Sequence, residues 1–159
     1  MDELLAAQSV VIARSPELLY DLVSDVTRIG EFSPVCASCW WDEGDGPRVG
    51  AWFTGRNVTP ARTWETRSQV VVAERGREFA FLVGSGFVRW GYTFAASPDG
   101  TVVTESWQFL PAGIAVFHER YGDGAAAQIA DRTRAAHEGI PVTLAALKRS
   151  AEALAPEPG

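Results

Sequence analysis

One acidic residue falls on a strand face that is otherwise apolar. In segment 101–110, Glu105 shares a face with Val103, Trp107 and Phe109, because alternate residues of a strand point to the same side. Burying an ionised carboxylate without partners is very costly. Glu105 must therefore have hydrogen-bond partners, an altered pKa or access to water in a cavity. It is either a structural carboxylate bonded to an indole, hydroxyl or arginine, or a group that contacts a ligand or exchanges a proton.

Two histidines are the other candidates for acid–base chemistry. His118 lies on a segment whose apolar residues have helical spacing, and His137 lies at the edge of the apolar stripe of the last predicted helix. Imidazole titrates near neutral pH, so either side chain could act as a general base. Simple packing of the ring is the competing interpretation for both. The catalytic candidates are therefore Glu105, His118 and His137.

Cys36 and Cys39 form a single CxxC pair. A thioredoxin-type pair stands at a helix N-terminus in a βαβ unit, whereas this pair leads into Cys39-Trp40-Trp41, which is typical of a strand. Two further zinc ligands are not evident nearby. We therefore predict reduced, packed cysteines, no metal site and no cofactor.

The elements that must position these residues begin with a strand and two short helices. Residues 8–14 are rich in β-branched side chains and are typical of a strand. Ser15-Pro16-Glu17 then provides an N-cap, a proline at the first helical position and an acid in the first turn, which predicts a helix to about Val23. Asp25 can cap a second short helix, which ends at the Ser33-Pro34 break.

From residue 36 onwards the apolar residues alternate with a period of two. Glycine- and proline-rich turn signals separate the alternating segments, so that consecutive segments form hairpins. Short links of this kind predict an antiparallel sheet of six or seven strands. After the first strand, the predicted strands span residues 37–42, 50–58, 63–74, 77–83, 87–96 and 101–110.

Two helices are predicted after the sheet. Segment 112–121 has helical spacing and would cover one end of the sheet, and segment 125–154 carries one apolar stripe with steps of three and four residues. Pro141 lacks an amide hydrogen, so it should kink the longer helix. This order of elements predicts an α+β fold, in which helices pack on one side of a curved antiparallel sheet.

The inner face of the predicted sheet is aromatic with a few polar groups. Small-molecule pockets usually have such a lining, although aromatic side chains also fill cores. The first half of the long helix would cover this face, with small or polar residues on its stripe. The predicted lining is Phe53, Asn57, Trp64, Thr66, Phe81, Trp90, Tyr92, Glu105, Trp107, Thr133, Ala136 and His137.

Length and charge limit the class of protein. With 159 residues and 47% hydrophobic content, the chain can bury a core as one domain over residues 1–155, with a flexible tail at 156–159. A net charge of −6 argues against nucleic-acid and anionic-membrane partners. No apolar run reaches the ~18 residues of a membrane span, and Asp2 and Glu3 stand where a signal peptide carries positive charge. We expect a cytoplasmic monomer or homodimer.

Several short motifs, spread over nearly the whole chain, carry a resemblance to a known family. They are Ser15-Pro16-Glu17 leading to Asp25-Val26, Val49-Gly50 before Phe53, Gly55 and Asn57, Trp64, Asp99-Gly100 before Thr104-Glu105-Ser106-Trp107, and Thr143-Leu144 with Leu147-Lys148. With these residues the chain resembles the START-like, or SRPBCC, superfamily with its helix-grip fold. More narrowly, it resembles the bacterial polyketide cyclase/dehydrase and lipid-transport family. Pro141 departs from that pattern.

The resemblance implies an internal cavity between the sheet and the C-terminal helix, and it leaves three functions open. The first is binding of a hydrophobic, aromatic or polycyclic small molecule, lipid or polyketide-like, whose polar end Asn57, Tyr92 and Glu105 would orient. The second is a cyclase or dehydratase, in which Glu105 or a histidine takes a proton next to a carbonyl. The third is a filled core that acts through its surface. The chain has no GxSxG, HExxH or phosphate-loop motif, which favours binding.

Overall fold

The computed structural model describes residues 4–44 and 46–157. Within them, the predicted α+β architecture is confirmed, with one antiparallel sheet and a long C-terminal helix. The elements in chain order are β1 (Leu5–Ile12), α1 (Pro16–Ser24), a 3-10 helix (Val26–Glu31), β2 (Cys36–Trp41), β3 (Trp52–Val58), β4 (Thr63–Glu74), β5 (Glu78–Val83), β6 (Val88–Ser97), β7 (Gly100–Phe109), α2 (Pro111–Tyr121), a 3-10 turn (Gly122–Gly124) and α3 (Ala125–Glu152).

The strands form one curved sheet in the order β1-β7-β6-β5-β4-β3-β2. Consecutive strands from β2 to β7 are antiparallel neighbours, as the hairpin signals predict, and β1 closes the row beside β7. β1 begins at Leu5, earlier than the predicted residue 8, because its ladder with β7 extends to the pair Leu5–Gln108. Such a boundary depends on the length of the partner strand, which local propensity does not show.

The start signals of the first two helices act as predicted. The Ser15 hydroxyl oxygen accepts a hydrogen bond from the Leu18 amide at 3.2 Å, which caps α1. The Asp25 carboxylate accepts one from the Thr27 amide at 3.1 Å, which caps the 3-10 helix. Each cap satisfies an amide that has no partner inside its helix.

A packed region forms where α1 and α3 meet the sheet. The Tyr20 ring of α1 packs edge-on against Phe79 at 6.2 Å and Phe94 at 5.9 Å between ring centroids. Ile12 and Val103 complete this group, and both are fully buried. We call Ile12, Tyr20, Phe79, Phe94 and Val103 the packed region.

The long helix lies against β1 and β7. It runs unbroken through Pro141 and ends at Glu152, two residues before the predicted end; the predicted kink stays a prediction. Ile129 is half-buried and Leu154 is exposed, whereas Ala125 at the start of the helix is fully buried. The buried stripe residues are Thr133, Ala136, Ile140, Leu144, Leu147 and Ala151.

Contacts at the end of α3 join the C-terminal segment to the link between β1 and α1. The Arg14 guanidinium donates to the carbonyl oxygens of Glu152 at 2.9 Å and Leu154 at 2.7 Å. The Glu157 carboxylate accepts from the Ser15 amide at 2.8 Å. Of the tail predicted to be flexible, residues 158–159 lie outside the described residues, and the domain boundary at residue 155 stays a prediction.

Candidate functional site

Glu105 lies in the middle of β7, between Tyr92 of β6 and Gln8 of β1 in the strand register. Its side chain points to the inner face, as alternation predicts, and the residue is 3% exposed. The Tyr92 hydroxyl donates to Glu105 Oε2 at 2.8 Å. The other oxygen, Oε1, is buried and has no hydrogen-bond partner among the described residues. A buried carboxyl group therefore has one oxygen left for a further partner.

Burial sets the protonation state of this pair. It raises the pKa of Glu105 to about 8, although the hydrogen bond from Tyr92 lowers that pKa. Burial, followed by the charge of Glu105, raises the pKa of Tyr92 well above its usual range. At neutral pH the phenol is neutral and most of the Glu105 carboxyl is protonated. The free Oε1 can then act as a hydroxyl donor, and above pH 8 it becomes an acceptor only.

A second polar pair lies on the same face, on β3 and β4. Asn57 Nδ2 donates to Thr66 Oγ1 at 3.1 Å, and Asn57 is paired with Trp64 in the strand register. Asn57 is 9% exposed. Both residues belong to the predicted lining, and their hydrogen bond explains how an amide can be buried there.

The aromatic residues of the predicted lining divide into two groups. Phe53 and Trp107 are buried, whereas Trp64, Phe81, Trp90 and Tyr92 are half-buried although they face inward. Helix packing therefore leaves part of this face uncovered. We call the uncovered residues and the two polar pairs beside them the site region: Asn57, Trp64, Thr66, Phe81, Trp90, Tyr92 and Glu105.

The helical members of the predicted lining have different positions. Thr133 and Ala136 are buried on the stripe of α3, and the Thr133 hydroxyl donates to the Ile129 carbonyl oxygen of its own helix at 2.8 Å. His137 is exposed, because one residue beyond Ala136 lies about 100° further around a helix. His118 is also exposed, on α2. The structure therefore brings neither imidazole onto the inner face with Glu105.

Two features of this face were not predicted. Gln8 of β1 lies opposite Glu105 and belongs to the same inner face as Ala6 and Val10. The alternation of residues 6, 8 and 10 was the signal that the strand begins before residue 8. Cys36 and Cys39 both face inward, because β2 contains a bulge between them. Nothing in the local sequence marks that bulge, since it arises from pairing with β3.

Two surface depressions lie away from Glu105. One, of about 470 Å³, is bordered by Asp42 and Arg67. The other, of about 620 Å³, is bordered by Asp21 and Trp41. The internal cavity between sheet and helix therefore stays a prediction.

Among residues 4–44 and 46–157, no helix is long and apolar enough to span a membrane, and no three histidine, cysteine or acidic side chains are grouped to hold a metal ion.

A comparison with known protein families shows which family the chain belongs to. The family described as polyketide cyclase / dehydrase and lipid transport matches residues 5–138. The chain belongs to this family. The match confirms the resemblance drawn from the residues, and the polyketide cyclase family supports a ligand-binding or cyclase role. A search of curated proteins finds no match.

Solved structures confirm the helix-grip architecture. The Polyketide_cyc-like protein Cgl2372 from Corynebacterium glutamicum is 53% identical, with a TM-score of 0.70 over 94% of this chain and 91% of that one. Protein NE0264 from Nitrosomonas europaea is 15% identical, with a TM-score of 0.67 over 94% of each chain. The di-domain ARO/CYC StfQ from the steffimycin biosynthetic pathway is 16% identical, with a TM-score of 0.69 over 94% of this chain and 51% of that one. The last two show the fold alone.

Proposed function

We propose that the protein binds a hydrophobic, aromatic or polycyclic small molecule, lipid or polyketide-like, over the site region, between the sheet and α3. The observation that carries this proposal is Glu105. Its buried Oε1 has no partner among the described residues, and buried polar groups are normally hydrogen-bonded. A ligand with a carbonyl or hydroxyl oxygen would supply the missing partner.

The surroundings of Glu105 fit such a ligand. Trp90 and Phe81 are paired across β6 and β5 and remain half-buried, so a flat apolar ring system could cover surface that α3 leaves open. The bonded pair Asn57–Thr66 provides a second polar position. An apolar wall with few hydrogen-bonding groups gives affinity through burial and orientation through the polar contacts.

Two matched ligands test the role of the carbonyl. We would titrate the protein with 2-acetylnaphthalene and with 2-ethylnaphthalene, which lacks the oxygen, and follow tryptophan fluorescence. The acetyl compound should bind roughly tenfold more tightly at neutral pH, since one net hydrogen bond contributes about 1–1.5 kcal/mol. If neither compound binds, the site region is a filled core, and the proposal fails for this ligand class.

Variants of Glu105 then separate its two protonation states. In the wild type, affinity for the acetyl compound should fall as pH rises through about 8, because the ionised carboxylate no longer donates. Glu105→Gln keeps a donor at every pH and should abolish that dependence, whereas Glu105→Leu should bind both naphthalenes equally. Glu65→Gln on the exposed face of β4 is the control and should match the wild type. An unchanged preference for the acetyl compound in Glu105→Leu would contradict the proposed contact.

A cyclase- or dehydratase-type enzyme is the second candidate, because a pKa of about 8 for Glu105 suits proton transfer near neutral pH. The ionised Glu105 would take a proton next to the ligand carbonyl, while Tyr92 or Asn57 holds the enolate oxygen. NMR in heavy water would show faster hydrogen–deuterium exchange at the acetyl methyl group with the wild type than with Glu105→Gln. A double His118→Ala, His137→Ala variant should retain the exchange. Equal exchange with and without protein would exclude this chemistry for the acetyl compound.

A further inference from the structure

The CxxC pair has an arrangement that a regular strand does not allow. Residues three apart in a strand point to opposite faces. In β2, however, Cys36 pairs with Asn57, Ser38 with Arg56 and Cys39 with Gly55, so one residue of β2 is extra. A bulge of this kind shifts the side chains that follow it by one position. Both thiols therefore lie on the inner face of the sheet.

The two sulfur atoms meet over a glycine. A Cβ atom added at Gly55 would lie 3.3 Å from Cys39 Sγ and 3.4 Å from Cys36 Sγ. The absent side chain of Gly55 thus leaves the space that both sulfurs use. Cys39 is 7% exposed within the core, and Cys36 is half-buried. Cys36 is therefore the more accessible of the two residues to a small reagent.

The bulge also shortens the separation of the two cysteines along β2. Cys36 and Cys39 are paired with residues only two apart on β3, and residues two apart on a strand are about 6.6 Å from each other at roughly 3.3 Å per residue. Disulfides join Cα atoms about 4.4–6.8 Å apart. The register therefore brings the two cysteines close enough for a disulfide bond.

The two thiols differ in acidity. A hydrogen bond from Cys39 lowers the pKa of Cys36, against the effect of burial. The same bond, together with burial, raises the pKa of Cys39. The accessible sulfur thus has more thiolate character, and the thiolate is the form that reacts.

We propose that Cys36 and Cys39 form a dithiol site that hydroperoxides oxidise reversibly to an intrastrand disulfide. The Cys36 thiolate attacks one peroxide oxygen, the O–O bond breaks, and Cys36 becomes a sulfenic acid while a proton completes the leaving water or alcohol. Cys39 then gives up its proton, its thiolate attacks the Cys36 sulfur, the S–O bond breaks, and the leaving hydroxide takes up that proton and departs as water. Two electrons pass from the two sulfurs to one peroxide. This site does not depend on the proposed ligand.

Intact-mass spectrometry of the full chain tests the proposal. Reduced protein, freed of reductant, would be treated with a small excess of hydrogen peroxide. We expect a monomer lighter by two hydrogens, loss of both iodoacetamide-reactive thiols, a Cys36–Cys39 link in the peptide map, and full recovery with dithiothreitol. Accumulation of sulfinic acid without the link, or a disulfide between two chains, would overturn the proposal.

Single-cysteine variants assign the roles of the two sulfurs. Cys39→Ser should stop at the sulfenic acid, which dimedone traps on Cys36, and Cys36→Ser should remain unmodified at the same peroxide dose. Circular dichroism would first establish that each variant is folded. Should Cys39→Ser misfold, phenylarsine oxide provides a second measurement on the wild type, since it bridges two neighbouring thiols. One reagent bound per chain with loss of both thiols supports the geometry, and absence of that adduct contradicts it.

Discussion

The packed region and the site region lie on the same sheet face, yet they differ in what covers them. In the packed region, Phe79 and Val103 are fully buried beneath α1 and α3. In the site region, Trp90 and Tyr92 remain half-buried, and the carboxyl group of Glu105 lacks a second partner among the described residues. The packed region therefore supplies stability, whereas the site region keeps partly exposed aromatic rings and a carboxyl oxygen that folding leaves without a hydrogen bond among the described residues.

The largest expected effect is the ionisation of Glu105. Its pKa is about 8 in the folded chain against 4.5 ordinarily, so the folded state binds the proton more tightly. The stability from this group is complete below pH 4.5 and is lost as pH rises through 8, by roughly 4–5 kcal/mol in total. Urea unfolding of the wild type and Glu105→Gln across this range should show the wild type losing stability relative to the variant. Parallel pH profiles would contradict the raised pKa.

The two halves of α3 should respond differently to truncation. Leu147 is 1% exposed, so Leu147→Ala should lower the free energy of unfolding by roughly 2–5 kcal/mol. Ile129 is half-buried. Ile129→Ala should lower the free energy of unfolding by at most about half as much, because it removes less buried apolar surface. Urea denaturation midpoints measure both. Equal losses would show that the first half of the helix is packed as tightly as the second.

Tyr92→Phe removes the hydroxyl that donates to Glu105 Oε2. Because that bond favours the ionised carboxylate, the pKa of Glu105 should rise further. At a pH above that pKa, the free energy of unfolding of the variant should be about 1–3 kcal/mol lower than that of the wild type. NMR titration of the Glu105 carboxyl measures the pKa. A pKa equal to or lower than that of the wild type would mean that the phenol does not stabilise the carboxylate.

Thr133→Val should have the smallest effect. The Thr133 hydroxyl already donates to Ile129 of its own helix, so its loss leaves the site region unchanged. We expect a free energy of unfolding within about 1 kcal/mol of the wild type and equal affinity for 2-acetylnaphthalene. A clear loss of affinity would show that this hydroxyl turns towards the ligand, as the sequence-based lining implies.

The pairing of Tyr92 with Glu105 could have been predicted. A two-residue turn at Pro98-Asp99 pairs Ser97 with Gly100, and counting back along both strands brings Tyr92 opposite Glu105. The turn itself depends on Gly100, whose φ of 132° favours glycine and where a Cβ would lie 2.1 Å from the Ile12 carbonyl oxygen. Hairpin registers are local, and local rules are readable in a sequence.

The positions of the histidines and the cysteines could not be predicted in the same way. Helical periodicity places His137 near the stripe, but the rotation of α3 on the sheet determines that Ala136 is buried and His137 exposed. The bulge in β2 likewise exists only in the pairing with β3. Both depend on contacts between segments distant in the chain.

The sequence by itself determined the order of elements, the caps of α1 and the 3-10 helix, and the inward direction of Glu105, because periodicity, turns and caps act over a few residues. Tertiary structure alone decided which inner residues stay half-exposed, which oxygen of Glu105 lacks a partner among the described residues, and that two thiols share one face over Gly55. The physical reason is that burial and pairing are properties of surfaces brought together by the whole fold.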